Sequence, residues 1–175
     1  GCRRAAGDSG PRHSGYFHHH PRPRARLIFT ANNINTNMNT KRTGLILKRD
    51  LPPGQIGNVC AILMAEIARA MPDALAETKV ADRDGLPHAT PQFSIVVLKA
   101  NSSEQLQNAA ANIRAAQPGL VVFAFGVVGQ SLNNQFEVYR EKIATLTTEG
   151  TGLVGIAIAG DDGAVRAATK KFSLM

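Results

Sequence analysis

A chain of 175 residues, 43% hydrophobic and 19% charged, has the length of one domain with a core of its own, and no apolar run approaches the roughly 20 residues of a membrane-spanning helix. The pI of 9.9 points toward nucleic acid, but the charge is unevenly placed: residues 1–40 hold six arginines and one acid, whereas residues 41–175 hold 14 Lys and Arg against 12 Asp and Glu. The part that can build a core is nearly neutral, so overall basicity is poor evidence for an RNA- or DNA-binding domain.

Residues 1–40 are rich in Arg, Pro, Gly and His, with His18-His19-His20 and Pro21-Arg22-Pro23-Arg24, then Asn-rich. Such a segment offers too little apolar surface to offset the entropy of ordering it, and disorder is the expectation. Met38 stands just before the first strand and is read as the natural start, with the leader as upstream or added sequence; an Arg-rich transit peptide is the rival reading. The leader's histidines and Cys2 match no closed zinc spacing, and no metal or cofactor is expected. Residues 41–175 are read as a single α/β domain. With only Cys2 and Cys60 in the chain, at most one disulfide is possible, and a reduced cytoplasmic setting is expected.

A first strand is predicted over residues 42–49, centred on Leu45-Ile46-Leu47, and Asp50-Leu51-Pro52-Pro53-Gly54 ends it because proline lacks the amide a ladder needs. Ile56, Cys60, Leu63, Ile67 and Met71 then trace one stripe of a helix that Pro72 stops. Asp82-Arg83-Asp84-Gly85 marks a turn, with His88 in the loop after it. A second strand is predicted over residues 93–100. Ser102 and Gln105 form a capping-box signature, opening a helix along Leu106, Ala110 and Ile113. Residues 120–125 read as a third strand and residues 126–131 as a glycine-punctuated loop. A helix from near Asn134 carries Phe136, Tyr139, Ile143 and Leu146. The fourth strand covers residues 153–159, where Gly155 leaves room for a close neighbour. Asp161 and Asp162 then cap a last helix bearing Val165, Ala168 and Phe172. Strands alternating with helices predict a three-layer α/β/α sandwich with about four strands in a mostly parallel or mixed sheet.

In open α/β sheets ligands sit outside the carboxyl ends of the strands, which singles out the Lys48-Arg49-Asp50 exit. The glycines of Gly54-Gln55-Ile56-Gly57 suit a phosphate-binding turn in form only, since neither a Walker lysine and serine nor a third fingerprint glycine follows. A Cys–His nucleophile pair would have to join Cys60 to His88, and Cys60 lies on the apolar stripe of its helix, where a structural thiol is the ordinary finding.

Gly44-Leu-Ile-Leu-Lys-Arg-Asp-Leu51, the glycine turn, the helix carrying Cys60-Ala61, Phe93-Ser-Ile-Val-Val-Leu-Lys-Ala100, Leu153-Val-Gly-Ile-Ala-Ile-Ala-Gly160 and Lys170-Lys-Phe-Ser-Leu-Met175 together resemble peptidyl-tRNA hydrolase II. The resemblance implies that fold. That family carries a Gly-Lys-Gly-Lys type turn and an acidic loop after the third strand. Here those places hold Pro53-Gly54-Gln55-Ile56-Gly57 and Gly126-Val-Val-Gly-Gln-Ser131, with neither lysine nor acid. The pattern Asp50-Leu-Pro-Pro-Gly54, Asn58, Asp84-Gly85, His88 and Gln130-Ser131 is similar to the uncharacterised bacterial domain-of-unknown-function family numbered two thousand, which implies the same hydrolase-like fold and no established reaction. An acid expected from that pattern is replaced by apolar residues around Ala124.

Three readings of function compete. The first is a non-hydrolytic binding domain for a small molecule, with a polar pocket at the strand carboxyl ends lined by Lys48, Asp50, Asn58, His88 and Ser131. The second is a peptidyl-tRNA or other ester hydrolase in which Lys48 or His88 stands in for the lost groups. The third is a structural module that forms oligomers, a homodimer being the simplest. No membrane partner is expected, and tRNA ranks below a small molecule.

Overall fold

The computed structural model describes residues 40–132 and 135–175, which fall in one compact unit spanning residues 36–175. The expectations for the leader, for Met38 and for the exact start of the helix near Asn134 lie outside the described residues.

The elements follow the predicted order with additions. They are β1 (Lys41–Lys48), α1 (Pro53–Ala70), a two-strand hairpin of β2 (Val80–Ala81) and β3 (Pro87–His88), β4 (Ser94–Ala100), α2 (Ser103–Ala116) and β5 (Val121–Gly126). The chain continues with α3 (Val127–Ser131), α4 (Phe136–Thr145), β6 (Leu153–Asp161), α5 (Asp162–Thr169) and β7 (Ser173–Leu174). The main sheet has five strands in the order β5-β6-β1-β4-β7. Four are the strands expected from sequence; the fifth, β7, is two residues long and pairs antiparallel with β4. The sheet is mixed: β1 and β4 are parallel, whereas β6 runs antiparallel to both β1 and β5. The mostly parallel form of the expectation is not found.

The reason lies between β5 and β6. Chain leaving β5 does not cross the sheet on a packed helix. It stays at the end where β5 finishes, with the Val127 amide donating to the Gly152 carbonyl at 3.0 Å, so β6 must start where β5 stops and run back. Helix α4, whose apolar spacing reads as a crossover helix, has no fully buried residue. Residues 126–131, read as a loop, form the short helix α3 after the first glycine. A Cβ at Gly126 would overlap the Thr151 carbonyl, so this close return of the chain needs glycine there.

Strand alternation sorts the core into two sets. Leu45, Leu47, Ala157 and Ala159 pack with Val59, Leu63 and Ile67 of α1. Ile46, Leu98, Ile156 and Ile158 pack with Leu106, Ala110 and Ile113 of α2 and Val165 of α5. Each fully buried leucine or isoleucine contributes about 1.5–3 kcal/mol of hydrophobic transfer. Alternation slips once in β6. Leu153 and Gly155 pair with Gly126 and Phe125, leaving Val154 as the extra residue of a bulge. Gly155 faces α1, where an added Cβ would lie 2.9 Å from Val59 and 3.2 Å from Leu63.

Helix starts agree with the sequence chemistry. The Ser102 hydroxyl accepts from the Gln105 amide at 3.1 Å, and the Gln105 side-chain oxygen accepts from the Asn101 amide at 2.6 Å. Asp161 accepts from the Ala164 amide at 2.9 Å. No described helix is long and apolar enough to cross a membrane.

Candidate functional site

Because β1, β4 and β5 run the same way, their carboxyl ends share one end of the sheet. Lys48 closes β1, and its ammonium lies 3.5 Å from the Asp50 carboxylate in the turn that follows. Arg49 is held across to the β4 exit: its amide donates to the Ala100 carbonyl at 2.9 Å, and its guanidinium to the Asn101 side chain at 3.2 Å. Pro52-Pro53 then starts α1, with proline at the first helical position, where its missing amide matters least.

The face of α1 that looks along this end of the sheet is set by helical spacing. Gln55, Asn58 and Ile62 stand at i, i+3 and i+7 and so share it. The Gln130 amide of α3 donates to the Gln55 side-chain oxygen at 3.4 Å, joining the start of α1 to α3. Ile62 lines a slot of about 300 Å³ with Phe125, Gly129, Leu132, Phe136 and Tyr139. An added Cβ at Gly129 would overlap the Phe125 ring, so this glycine is what lets the ring lie against α3. Burial pushes the Tyr139 hydroxyl above its ordinary pKa, and the Glu66 carboxylate of α1 adds to the effect. Ser131, at the end of α3, donates its hydroxyl to the Val128 carbonyl at 3.0 Å.

Lys48 and Asp50 stand together at the β1 exit, Asn58 lies on α1 and Ser131 ends α3, and none of the four lines the slot, which polar residue types alone do not reveal. A signal for the slot is present in the sequence: Ile62 lies off the main stripe of α1, and Phe136 and Tyr139 lack a place in the core. His88 stands apart. Its hairpin grows from a segment tied to the amino ends of β1 and β4, through the Lys41–Asp73 ion pair and the amide of Gln92 donating to the Ala74 carbonyl at 2.9 Å. There the imidazole Nε2 meets the Asp82 carboxylate at 3.0 Å. Asp82 also accepts from the amides of Asp84 and Leu86, both at 3.0 Å, and Gly85 turns the chain at φ 88°. The bond from His88, with help from the backbone donors, holds the Asp82 carboxyl below the usual carboxylate range.

Cys60 is half-buried against the α1 side of the core, and burial raises its thiol pKa. That is the setting of a packing cysteine rather than a thiolate nucleophile. Among the described residues no group of three or more His, Cys, Asp or Glu side chains is placed to hold a metal ion.

These features define a mixed α/β domain with a polar strand-exit end beside an apolar slot. The model of the family described as protein of unknown function (DUF2000) matches residues 41–175, and the chain belongs to that family. The fold is similar to the solved structure of a protein of unknown function from Agrobacterium tumefaciens strain C58, with a TM-score of 0.65 at 20% identity over 78% of this chain and 98% of that one. Comparison with curated proteins gives no match.

Proposed function

We propose that the domain is a non-hydrolytic binding module for a small molecule, held at the carboxyl ends of β1, β4 and β5. The observation that supports this reading is the Lys48–Asp50 pair at the β1 exit, together with the Gln130–Gln55 bond that joins α3 to the start of α1 beside the slot lined by Ile62, Phe125 and Tyr139; the proposal assigns Asn58 and Ser131 to the same site. Such a site suits a ligand with an apolar body for the slot and a polar head for Lys48 and Asp50. His88 belongs to a separate hairpin in this reading, as a hydrogen-bonded turn residue. The two core sets, with α1 on one and α2 and α5 on the other, support a three-layer α/β/α architecture of the peptidyl-tRNA hydrolase II kind. The domain is read as a cytoplasmic protein of bacterial type.

Peptidyl-tRNA or other ester hydrolysis is disfavoured by the same geometry. The only histidine after residue 20 is paired with Asp82 in the hairpin, away from the lysine at the strand exit, so the two are not gathered on one substrate.

Native mass spectrometry of the full chain tests the binding reading. The wild type should retain a small molecule that is lost when Lys48→Ala and Asn58→Ala are combined. A wild-type chain that carries nothing from the cell and also hydrolyses peptidyl-tRNA at high enzyme concentration would overturn it.

A further inference from the structure

Strand β5 is one edge of the sheet, paired on one side with β6. Among the described residues Val121–Gly126 makes no backbone hydrogen bond to any element other than β6, so the groups on its outer side are open. Edge strands are ordinarily kept from pairing by charge, proline or shortness. The opposite edge follows that rule: β7 has two residues and is preceded by Lys170 and Lys171. The β5 edge does not. It reads Val121-Val-Phe-Ala-Phe-Gly126, and no charged residue occurs between Arg114 and Glu137.

A groove of about 660 Å³ runs beside this strand, lined by Val122 and Ala124 of β5, Arg114 of α2 and Glu149 of the turn before β6. The two charged groups lie at opposite ends of it. Arg114 is in the last turn of α2, which leads directly into the start of β5. Glu149 belongs to the Glu149–Thr151 turn, whose Thr151 carbonyl lies against Gly126 at the end of β5.

We infer that β5 pairs antiparallel with β5 of a second copy of this chain, joining two five-stranded sheets into one. With Phe123 opposite itself, Val121 faces Phe125 of the second copy and Val122 faces Ala124, pairing large with small and β-branched with aromatic. The same two-fold sets the start of one strand against the end of the other, bringing Arg114 of each copy to Glu149 of its mate. This charge match specifies a second copy as the occupant of the edge. Phe125 also lines the strand-exit slot, but Arg114, Val122, Ala124 and Glu149 do not, so substitutions at those four positions test the pairing independently of the binding function.

Sedimentation equilibrium of the full chain tests it. The wild type should have the mass of two chains at micromolar concentration. Ala124→Lys, at an exposed position of the edge, should yield a monomer with an unchanged circular dichroism spectrum. Arg114→Glu alone and Glu149→Arg alone should each weaken dimerisation about tenfold or more, and the two together should restore it to within about threefold. A monomeric wild type, or a dimer indifferent to both single charge reversals, would overturn the inference. The charge reversals sit on the exposed surface and remain decisive even if Ala124→Lys fails to fold.

Discussion

Thr43 is 1% exposed, and among the described residues its hydroxyl has no hydrogen-bond partner. It shares the strand face of Leu45 and Leu47 by alternation, so a polar atom stands in an apolar neighbourhood. Thr43→Val keeps the shape and removes the unpaired group; the expected result in urea unfolding is unchanged stability or a gain of up to about 1 kcal/mol. A loss of that size would mean that the hydroxyl is bonded in solution. Single residues also show what the sequence concealed. The turn around Asp82 and the cap at Ser102 were legible because their chemistry is local. The distance between His88 and Lys48 was not, because it depends on which end of the sheet the loop after α1 is tied to.

Among the elements, the four long strands were legible as continuous apolar runs, and α1 and α2 by their stripes. The direction of β6 was not. Alternating strands and helices imply crossovers, but α4 stays unburied and the Gly126–Gly152 return turns the chain back instead. Strand β7 carried no signal, since two residues have no period. The close packing of α1 on β6 was visible in outline at Gly155, and it sets a prediction. Gly155→Ala would press a methyl to 2.9 Å from Val59 and should destabilise the domain by about 1–3 kcal/mol, read as a lower urea midpoint. Val59→Ala in the same chain should recover part of that loss, since it opens space beside the new methyl.

For the whole molecule, one carboxylate links the beginning of the sheet to the last helix. Asp162 accepts from Arg42 of β1 and from Arg166 of α5, each at 2.6 Å. Arg166 first and Arg42 second hold its carboxyl below the usual carboxylate range. A depressed pKa contributes stability that is present above the unfolded-state value and lost as pH falls through the folded-state value. Thermal unfolding followed downward from neutral pH should therefore show a steeper decline for the wild type than for Asp162→Asn, confined to the region below about pH 4. Parallel curves through that region would show that the pair adds nothing to acid stability. The distribution of charge is legible in the sequence at this scale as well, a basic leader being followed by a near-neutral remainder.

Strand β6 has a consequence for how the domain comes to be made. Residues 153–160 are all buried, and this strand alone joins β1 to β5. Every ladder it forms with β1 spans more than a hundred residues of chain, so loop closure comes late and folding is expected to be slow for a domain this small. On the ribosome, the first 152 residues can pair β1 with β4 but cannot seat β5. The nascent chain must wait for one late strand before β5 can join the sheet, and chain ends that cut into residues 153–161 should leave no native domain at all.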